Sequence, residues 1–465
     1  MPVDTKAQAV QDRTPQWERC RAAVAGQDAV RRLGQTYLPA LTQQTPDEYA
    51  AYLTRTPWYG ATGRTLEGAV GMVFAKSPVL EASDTLIEYA KDITMSGITL
   101  DGLARQILND VEVVGRIGCL VEFPRVDQQP PSLAAAQAAN LRPYVSTYTA
   151  EQIINWRTAR VNNAMQPVLI VLCEEYEPEG ALDEFARECK TQYRVLRLDA
   201  GGYRQEIWRD AALFETIVPQ MDGKPLQAIP FYPFGPEELS MRVQSPPMLD
   251  LVDLNFSHFR TSADLEHGAH FTGLPTPVLV GFQSERDPAG NAYPIRIGSS
   301  QAIVSNAADA KAFYLEFSGT GLGALEKLLD RKEAQMAALG ARMLAPEKSG
   351  IEASDTLAMR HNGENSVLGG VVKLVSYGIT EMLRFMSQWA GLGDDVKYTM
   401  NTDFMPRGLT AQDVTALVSA WQQGAISQQV LFDNLQRGEI IDADDDLETM
   451  QAQIGDAAPV APAAN

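Results

Sequence analysis

The sequence predicts an α+β fold, in which helices and strands occupy separate parts of the chain. Helix start and stop signals recur through the first 115 residues, and period-two alternation of apolar residues dominates 140–235. Helical periodicity then returns from residue 245. With 465 residues the chain is long enough for two or three compact units.

Capping residues place the first helices. Thr14 followed by Pro15 predicts a helix start, and Thr45 followed by Pro46 repeats the signal before DEYAAYLTR. RTLEGAVGMVFA and TLDGLARQILNDVEVV are expected as two further helices, the second ending near Gly115. The N-terminal quarter is therefore predicted to be helical.

Strands are expected from residue 117 onwards. IGCLVEF (117–123) is a short apolar run, and YVSTY, PVLIVLCEEYE, TQYRVLRLD and YRQEIWR alternate in the strand period. LPTPVLVGF and AFYLEF bracket a short β-rich insertion, roughly 274–317. VKYTMNTDF (396–404) is a lone late strand, so it must pair with an earlier one.

Three long helices surround the β-rich insertion. The first is expected after a cap at Ser245, with Asp250 near its positive end. The other two carry apolar residues at alternating spacings of three and four, which is a heptad-like seam. Each seam needs a partner, and neighbouring copies of the same chain are plausible partners. The positions predicted at subunit interfaces are Leu325, Leu329, Met336, Leu339, Val375, Ile379, Met382 and Met386.

No motif for nucleotide chemistry or hydrolysis is complete. GTGLGALEK (319–327) follows a predicted strand, but its glycines do not read GxGxxG, and no Ser or Thr follows Lys327 as a Walker motif requires. GxSxG does not occur. We therefore predict neither catalytic nor cofactor-binding residues, no cofactor, and no enzymatic activity.

Three histidines share one helical stretch without a metal-binding spacing. His267 and His270 lie three apart, whereas the HExxH pair of a zinc site lies four apart. His258 lies nine residues before His267, about 14 Å along a straight helix. Packing or surface roles are expected, and no metal ligand is predicted.

Charge and cysteine content limit the class of partner. The formal net charge of −20 disfavours tight nucleic-acid binding, because phosphate contacts need Lys and Arg. The four cysteines form no CxxC pair, which suits a reducing compartment. No run of about 18 apolar residues exists, so no membrane span is expected.

The order of elements, with several local phrases, resembles the portal (head–tail connector) proteins of tailed bacteriophages. The phrases are EYAAYLTRTPWYGATGRTLEGAVGMVFAKSP, VEVVGRIGCLVEFP, IINWR, IPFYPFG and PPMLDLVDLNFSHFRTSADLEHGAHFTGLPTPVLVG. The similarity covers about residues 45–440. The chain is short for a portal, and its final helical part holds only two helices.

The resemblance implies a division of the chain into the parts of a portal subunit. These parts are the wing (1–244, helical over 1–115 and β-rich over 116–244), first stem helix (245–272), clip (273–318), second stem helix (319–343), tunnel loop (344–355), long kinked helix (356–391), returning wing strand (392–406) and short crown (407–440). The remaining residues, 441–465, are acidic and then rich in Ala and Pro, so disorder is expected there.

The resemblance also implies a function. A homo-oligomeric ring, twelve-fold in assembled particles, would sit at one capsid vertex of the virion, after assembly in the host cytoplasm. It would seed head assembly with capsid and scaffolding protein, dock the large subunit of the terminase motor, pass double-stranded DNA and later bind a head–tail adaptor. The residues expected to face the DNA channel are Pro346, Glu347, Lys348, Ser349, Gly350 and Glu352.

Two other interpretations stay open at the level of sequence. One is a different head–tail or tail-tube ring protein, which would lack a helix–loop–helix after a β insertion. The other is an enzyme of phage replication or packaging, which a retained metal or ATP turnover would favour.

Overall fold

A computed structural model shows the α+β fold that the sequence predicts. It describes residues 2–124, 139–178, 188–273, 276–282, 309–315, 321–341, 354–402 and 411–437, with single positions between some of these ranges; side chains of 354–367 and 411–413 lie outside the description. The chain forms two compact units, residues 1–400 and 401–465. Each is treated below by itself.

Residues 8–114 are mainly helical. The elements are α1 (Gln8–Ala25), α2 (Gln27–Arg32), α3 (Pro46–Arg55), α4 (Ala61–Val73), β1 (Val79–Glu81), α5 (Asp84–Ala90) and α6 (Leu100–Val114). A capping box with both of its hydrogen bonds lies at the start of α3. Glu48 N donates to Thr45 Oγ1 (3.4 Å), and Thr45 N donates to Glu48 Oε2 (2.8 Å). Gly115, with φ of 74°, ends α6. These two predictions are confirmed.

The predicted start of the first helix is wrong. α1 begins at Gln8, and Pro15 lies inside it. The hydroxyl of Thr14 donates to the carbonyl oxygen of Val10 (2.7 Å) instead of capping a new helix. Val10 and Trp17 are both fully buried and lie seven residues apart, on one face. Burial of this face extends the helix across the proline.

The strand-rich part forms two antiparallel sheets. The smaller has the order β11–β2–β3, and the larger is a meander with the order β4–β5–β6–β7–β8. Their strands are β2 (Ile117–Glu122), β3 (Tyr144–Thr149), β4 (Ile153–Val161), β5 (Ala164–Tyr176), β6 (Lys190–Asp199), β7 (Gly202–Arg209), β8 (Ala212–Ile217) and β11 (Phe231–Phe234), with a short hairpin of β9 (Gln220–Met221) and β10 (Lys224–Pro225) before β11. Leu120 of the small sheet and Leu172 and Leu196 of the large one share one apolar core.

A buried ionic network links the two sheets. Arg194 on β6 donates to Glu122 Oε1 (2.9 Å) on the small sheet and to Glu174 Oε1 (2.6 Å) on β5. Tyr148 Oη donates to the same Glu174 oxygen (2.7 Å). Burial works against the charge, yet acidic neighbours raise the pKa of Arg194 above its ordinary value. The guanidinium therefore neutralises two carboxylates that would otherwise be buried without a counter-ion.

We predict that Arg194→Met destabilises the protein by about 3–5 kcal/mol, because Glu122 and Glu174 lose their common partner. Arg197→Met is the matched control on the same strand. Arg197 is 38% exposed, and its partner Glu206 keeps Arg204, so the loss there should stay below about 1 kcal/mol. Urea unfolding of both variants checks this. Equal losses would show that the network adds nothing beyond a surface ion pair.

A long helix near the end of the first unit packs into the body of its own subunit. This helix, α9, spans Ser354–Trp389. Val375, Ile379, Met382 and Met386 on it are fully buried within the chain. Gly378 lies against Phe234, so close that an added Cβ would approach the ring to 2.6 Å. The expectation that a neighbouring copy covers this seam is therefore corrected, since the seam is buried within its own subunit, where α9 packs on the strand 397–399, α6 and β11.

The late strand returns to the N-terminal part, as predicted. β14 (Lys397–Thr399) pairs antiparallel with β1, with Leu80 opposite Tyr398. Tyr398 Oη donates to Asp101 Oδ1 (3.0 Å) at the start of α6. The Thr380 hydroxyl of α9 accepts from Tyr398 N (3.0 Å). The C-terminal end of the first unit is thus fixed to its first half.

The second unit contains a helical hairpin. Its helices are α10 (Ala411–Gln422) and α11 (Gln428–Arg437). Gly424, with φ of 74°, follows the first helix, and Ser427 Oγ accepts from Val430 N (3.2 Å) at the start of the second. Thr410, which precedes α10, lies outside the described residues, as does nearly all of the tail 441–465.

Candidate functional site at the paired helices and the hairpin

The first of the three long helices is anchored on the N-terminal helices. This helix, α7, spans Leu249–Gly273. It starts four residues after Ser245, because Pro246 and Pro247 form a turn in which Leu249 N donates to Pro246 O (3.2 Å). The predicted cap at Ser245 is therefore wrong. Asn255 is fully buried, accepts from the Thr62 hydroxyl (2.8 Å) and donates to the Tyr59 carbonyl (2.8 Å).

A second helix lies antiparallel along α7. This helix, α8, spans Leu322–Met336, and its direction follows from the contacts Gly268 to Leu322 and His258 to Glu333. Lys332 Nζ donates to Ser257 O (2.8 Å) and to the Thr261 hydroxyl. These polar contacts fix the register of the two helices. We call α7 and α8 the helix pair.

The histidines have separate packing roles on the helix pair. His258 is buried, with Nε2 3.2 Å from Glu333 Oε1 and its ring near Tyr59. Burial lowers the pKa of His258, against the opposing effect of Glu333. His267 packs edge-on against Phe271. Among the residues that the structure describes, no group of three or more His, Cys, Asp or Glu could hold a metal ion.

Glu112 and Arg116, two groups away from the helix pair whose pKa values are strongly shifted, do not form a catalytic site. Burial raises the pKa of Glu112 to about 7 and lowers the pKa of Arg116 to about 9. Arg116 lies over the ring of Trp156, 4.4 Å from its centroid. Its guanidinium has no ion pair among the described residues, and two backbone carbonyls lie at 3.4 and 3.5 Å. This arrangement is a buried cation–π contact, without a nucleophile or base beside it.

A hairpin connects the two helices at one end. β12 (Thr276–Val280) and β13 (Lys311–Leu315) pair antiparallel, with Val278 opposite Phe313 and Pro277 opposite Tyr314. Since alternate residues point to opposite faces, Phe313 and Tyr314 lie on different faces. Each is half-exposed or more, at 50% and 57%. The hairpin therefore presents apolar side chains on both faces.

A groove of about 650 Å³ lies at the hairpin end of the helix pair. Glycines shape it: an added Cβ on Gly268 would come within 2.7 Å of Leu322, and Gly319 has φ of 63°. The residues that line it are Asp264, Gly268, Phe271, Thr272, Gly319, Gly321, Leu322 and Leu325. Most of this lining is apolar, and Phe271 remains 47% exposed.

At its other end α8 runs into a π-helical turn. The turn spans Ala337–Ala341, and Gly340 within it has φ of 122°. Thr65 of α4 lies 3.8 Å from where a Cβ of Gly340 would stand. The channel-loop residues predicted at 346–350 and at 352 follow this turn and lie outside the described residues.

The predicted interface residues on this part of the chain divide into two groups. Met336 is buried in its own subunit, so a neighbouring copy cannot cover it. Leu339 is 49% exposed, and Leu325 and Leu329 are partly exposed. Leu328, which the periodicity did not single out, is 40% exposed. The interface therefore remains a prediction for Leu325, Leu329 and Leu339.

Comparisons with known proteins add one family model. A model described as "Domain of unknown function (DUF4055)" matches residues 247–390, from α7 through α9. No curated protein matches the chain. No described helix is both long and apolar enough to cross a membrane.

Two solved structures are similar in chain trace. The neck of an empty GTA particle, computed with C6 symmetry, has a TM-score of 0.39 and 10% identity, over 81% of this chain and 89% of that one. The virion of a native gene transfer agent (GTA) particle has a TM-score of 0.39 and 9% identity, over 86% of this chain and 94% of that one.

We predict that Gly340→Ala destabilises the protein by about 1–2 kcal/mol, because L residues rarely adopt its φ. Gly370→Ala is the matched control, since Gly370 lies in α9 with open space around it. That change should instead stabilise by about 0.5–1 kcal/mol. Thermal unfolding of both variants makes the comparison. A stabilised Gly340→Ala variant would mean that the turn does not need this backbone conformation.

Proposed function

We propose that this protein is the portal protein of a tailed bacteriophage or prophage, acting as one subunit of a homo-oligomeric ring. The observation that carries the proposal is the hairpin at one end of an antiparallel helix pair, on which the apolar side chains of Val280, Phe313, Tyr314 and Leu315 are about half-exposed on the two faces. The order of elements in the family that the sequence resembles gives the same arrangement of stem, clip and stem. The portal domain boundaries predicted from the sequence are part of this proposal.

The hairpin's two faces favour a ring over a symmetric dimer. An isolated two-stranded hairpin is at best marginally stable in water. A two-fold dimer would bury the same face of both hairpins and leave the other face exposed to solvent. In a head-to-tail ring each hairpin has one neighbour on each side, so both faces are covered. We propose twelve copies, which is the number implied by the resemblance.

In the proposed ring, double-stranded DNA passes through the channel and is bound only weakly. A charge of −20 per chain surrounds the duplex with like charge, which salt screens beyond about 8 Å. Few phosphate contacts are then available, and counterion release contributes little affinity. The 346–352 segment, with Lys348 as its cation, is the proposed point of weak contact.

The remaining partners follow from the proposed position at a capsid vertex of the virion. The hairpin and the chain between its strands would dock the large subunit of the terminase, which supplies ATP hydrolysis. The second unit and the helix-rich first part would meet capsid and scaffolding protein during assembly in the host cytoplasm. A head–tail adaptor would later replace the motor. The proposed role is structural, and no catalytic step is assigned to this chain.

We expect the purified protein to form closed homo-oligomers with a single dominant copy number. Native mass spectrometry over a range of protein and salt concentrations measures this. Because the driving surface is apolar, assembly should persist at high salt. Monomer alone at every concentration, including with scaffolding protein present, would contradict the proposed ring.

Within an assembled ring, Lys348→Glu should reduce retention of linear duplex severalfold and leave ring assembly intact. Lys224→Glu, an exposed lysine on β10, is the matched control for the change in net charge. Filter binding at two salt concentrations and several DNA sequences measures retention. Tight sequence-specific binding by the wild type, or ring loss in Lys348→Glu, would contradict the proposed contact.

A further inference from the structure

We propose that His258 is an acid-sensitive latch between α7 and α8, which holds the two helices together while its ring is neutral and loosens them when the ring gains a proton. This inference goes beyond the proposed ring and does not depend on it, because every group involved lies within one subunit. It follows from where the ring lies, what its two nitrogens contact and which charge lies beside it.

The ring of His258 is enclosed where the two helices meet. Its side chain is only 7% exposed. Tyr59, in the segment before α4, packs on the ring with the two centroids 5.1 Å apart. Glu333 reaches the ring from α8, with Oε1 3.2 Å from Nε2. The ring is therefore one of the polar links between α7 and α8.

The two nitrogens of this ring differ in their surroundings. A carboxylate only accepts hydrogen bonds, so the neutral ring carries its proton on Nε2 and donates to Glu333. Nδ1 is buried and has no hydrogen-bond partner among the described residues. Protonation of the ring would place an N–H and a positive charge there without an acceptor. A buried charged donor without a partner is costly, so the closed contact disfavours the proton.

A neighbouring cation opposes the same proton. Lys332 Nζ donates to the carbonyl oxygen of Ser257 (2.8 Å) and to the hydroxyl of Thr261, residues on either side of His258 in α7. While the ring is neutral, Lys332 and Glu333 supply one positive and one negative charge. Protonation adds a second positive charge beside Glu333, whose side chain is 44% exposed and partly screened by water. The local charge is then no longer balanced.

The remaining charged groups near the contact do not reverse this preference. Arg260 and Asp264 on α7 act on the ammonium of Lys332 in opposite directions. For the ring itself, burial lowers the pKa of His258, Glu333 opposes that effect, and Lys332 lowers the pKa further. The net direction is below the ordinary value, in agreement with the geometry.

Acid is therefore expected to weaken the helix contact. When the helices separate, the pKa of His258 returns to its ordinary value of about 6.5, whereas the closed contact holds that pKa lower. The separated state binds more protons between these two values, so the closed state loses stability as the pH falls below about 6.5. Glu333 lies near the C-terminal end of α8, so the loosening should be centred on 328–336.

Amide hydrogen exchange at pH 7.5 and pH 5.5 tests the latch, with each rate divided by the intrinsic rate at that pH. One histidine changes an equilibrium by at most about tenfold per pH unit, so wild-type protection over 328–336 should fall about three- to tenfold. His258→Gln keeps an N–H donor for Glu333 but cannot gain a proton, so its protection should stay constant. Constant protection in the wild type, or an equal fall in His258→Gln, would overturn the latch.

Two variants on α8 give a second measurement in which His258 itself is kept. Lys332→Met removes the opposing cation, so the fall in protection on acidification should become smaller. Glu333→Gln removes the favourable carboxylate, so the fall should become larger. The two ratios are each taken within one variant, which cancels a general change in stability. A change in the same direction in both variants would contradict the latch.

Two other titrating groups are separated from His258 by position and by sign. Burial also lowers the pKa of His267, nearer the hairpin end of α7, so His267→Gln is the matched control and should keep the wild-type fall over 328–336. Burial raises the pKa of Glu112 on α6 to about 7, so acid stabilises α6 through this group. Loss of the fall in His267→Gln, or an equal fall over α6, would overturn the assignment to His258.

Discussion

One constraint governs the proposed assembly: a two-stranded hairpin with apolar side chains on both faces is at best marginally stable alone in water. Its strands are joined by cross-strand pairs such as Val278 with Phe313, and its side chains stay half-exposed in the subunit. A single chain cannot cover both faces from the positions that the structure describes. In the proposed ring, identical neighbours on either side would cover both faces.

Polar contacts hold the parts of the first unit together on either side of the hairpin. Arg194 joins the two sheets through Glu122 and Glu174, and Phe385 and Trp389 of α9 pack against the apolar core that the sheets share. α7 is anchored by Asn255 to the N-terminal helices, and Lys332 fixes α8 to α7. The hairpin thus follows a helix pair whose register is set by part-buried polar contacts.

Sequence reasoning succeeded where the signal is local. The helix start at Thr45 and Pro46, the helix end at Gly115 and the return of a late strand within 396–404 follow from short-range chemistry or from the need for a pairing partner. It failed at Pro15, where burial of Val10 and Trp17 extends the helix. Periodicity indicated that the apolar positions of 375–386 are buried, but it could not show which part of the protein covers them. The groove and the Arg194 network were missed because their members are distant in sequence.

Amide hydrogen exchange in β12 and β13 tests the central claim most directly, since it reports on hairpin protection residue by residue. Peptides covering 276–280 and 311–315 would be followed in dilute monomer and in assembled rings. The account predicts fast exchange in the monomer and at least a tenfold slowing in the ring, with β5 and β6 unchanged. Equal exchange of the hairpin in monomer and ring would contradict the claim that neighbouring copies complete it.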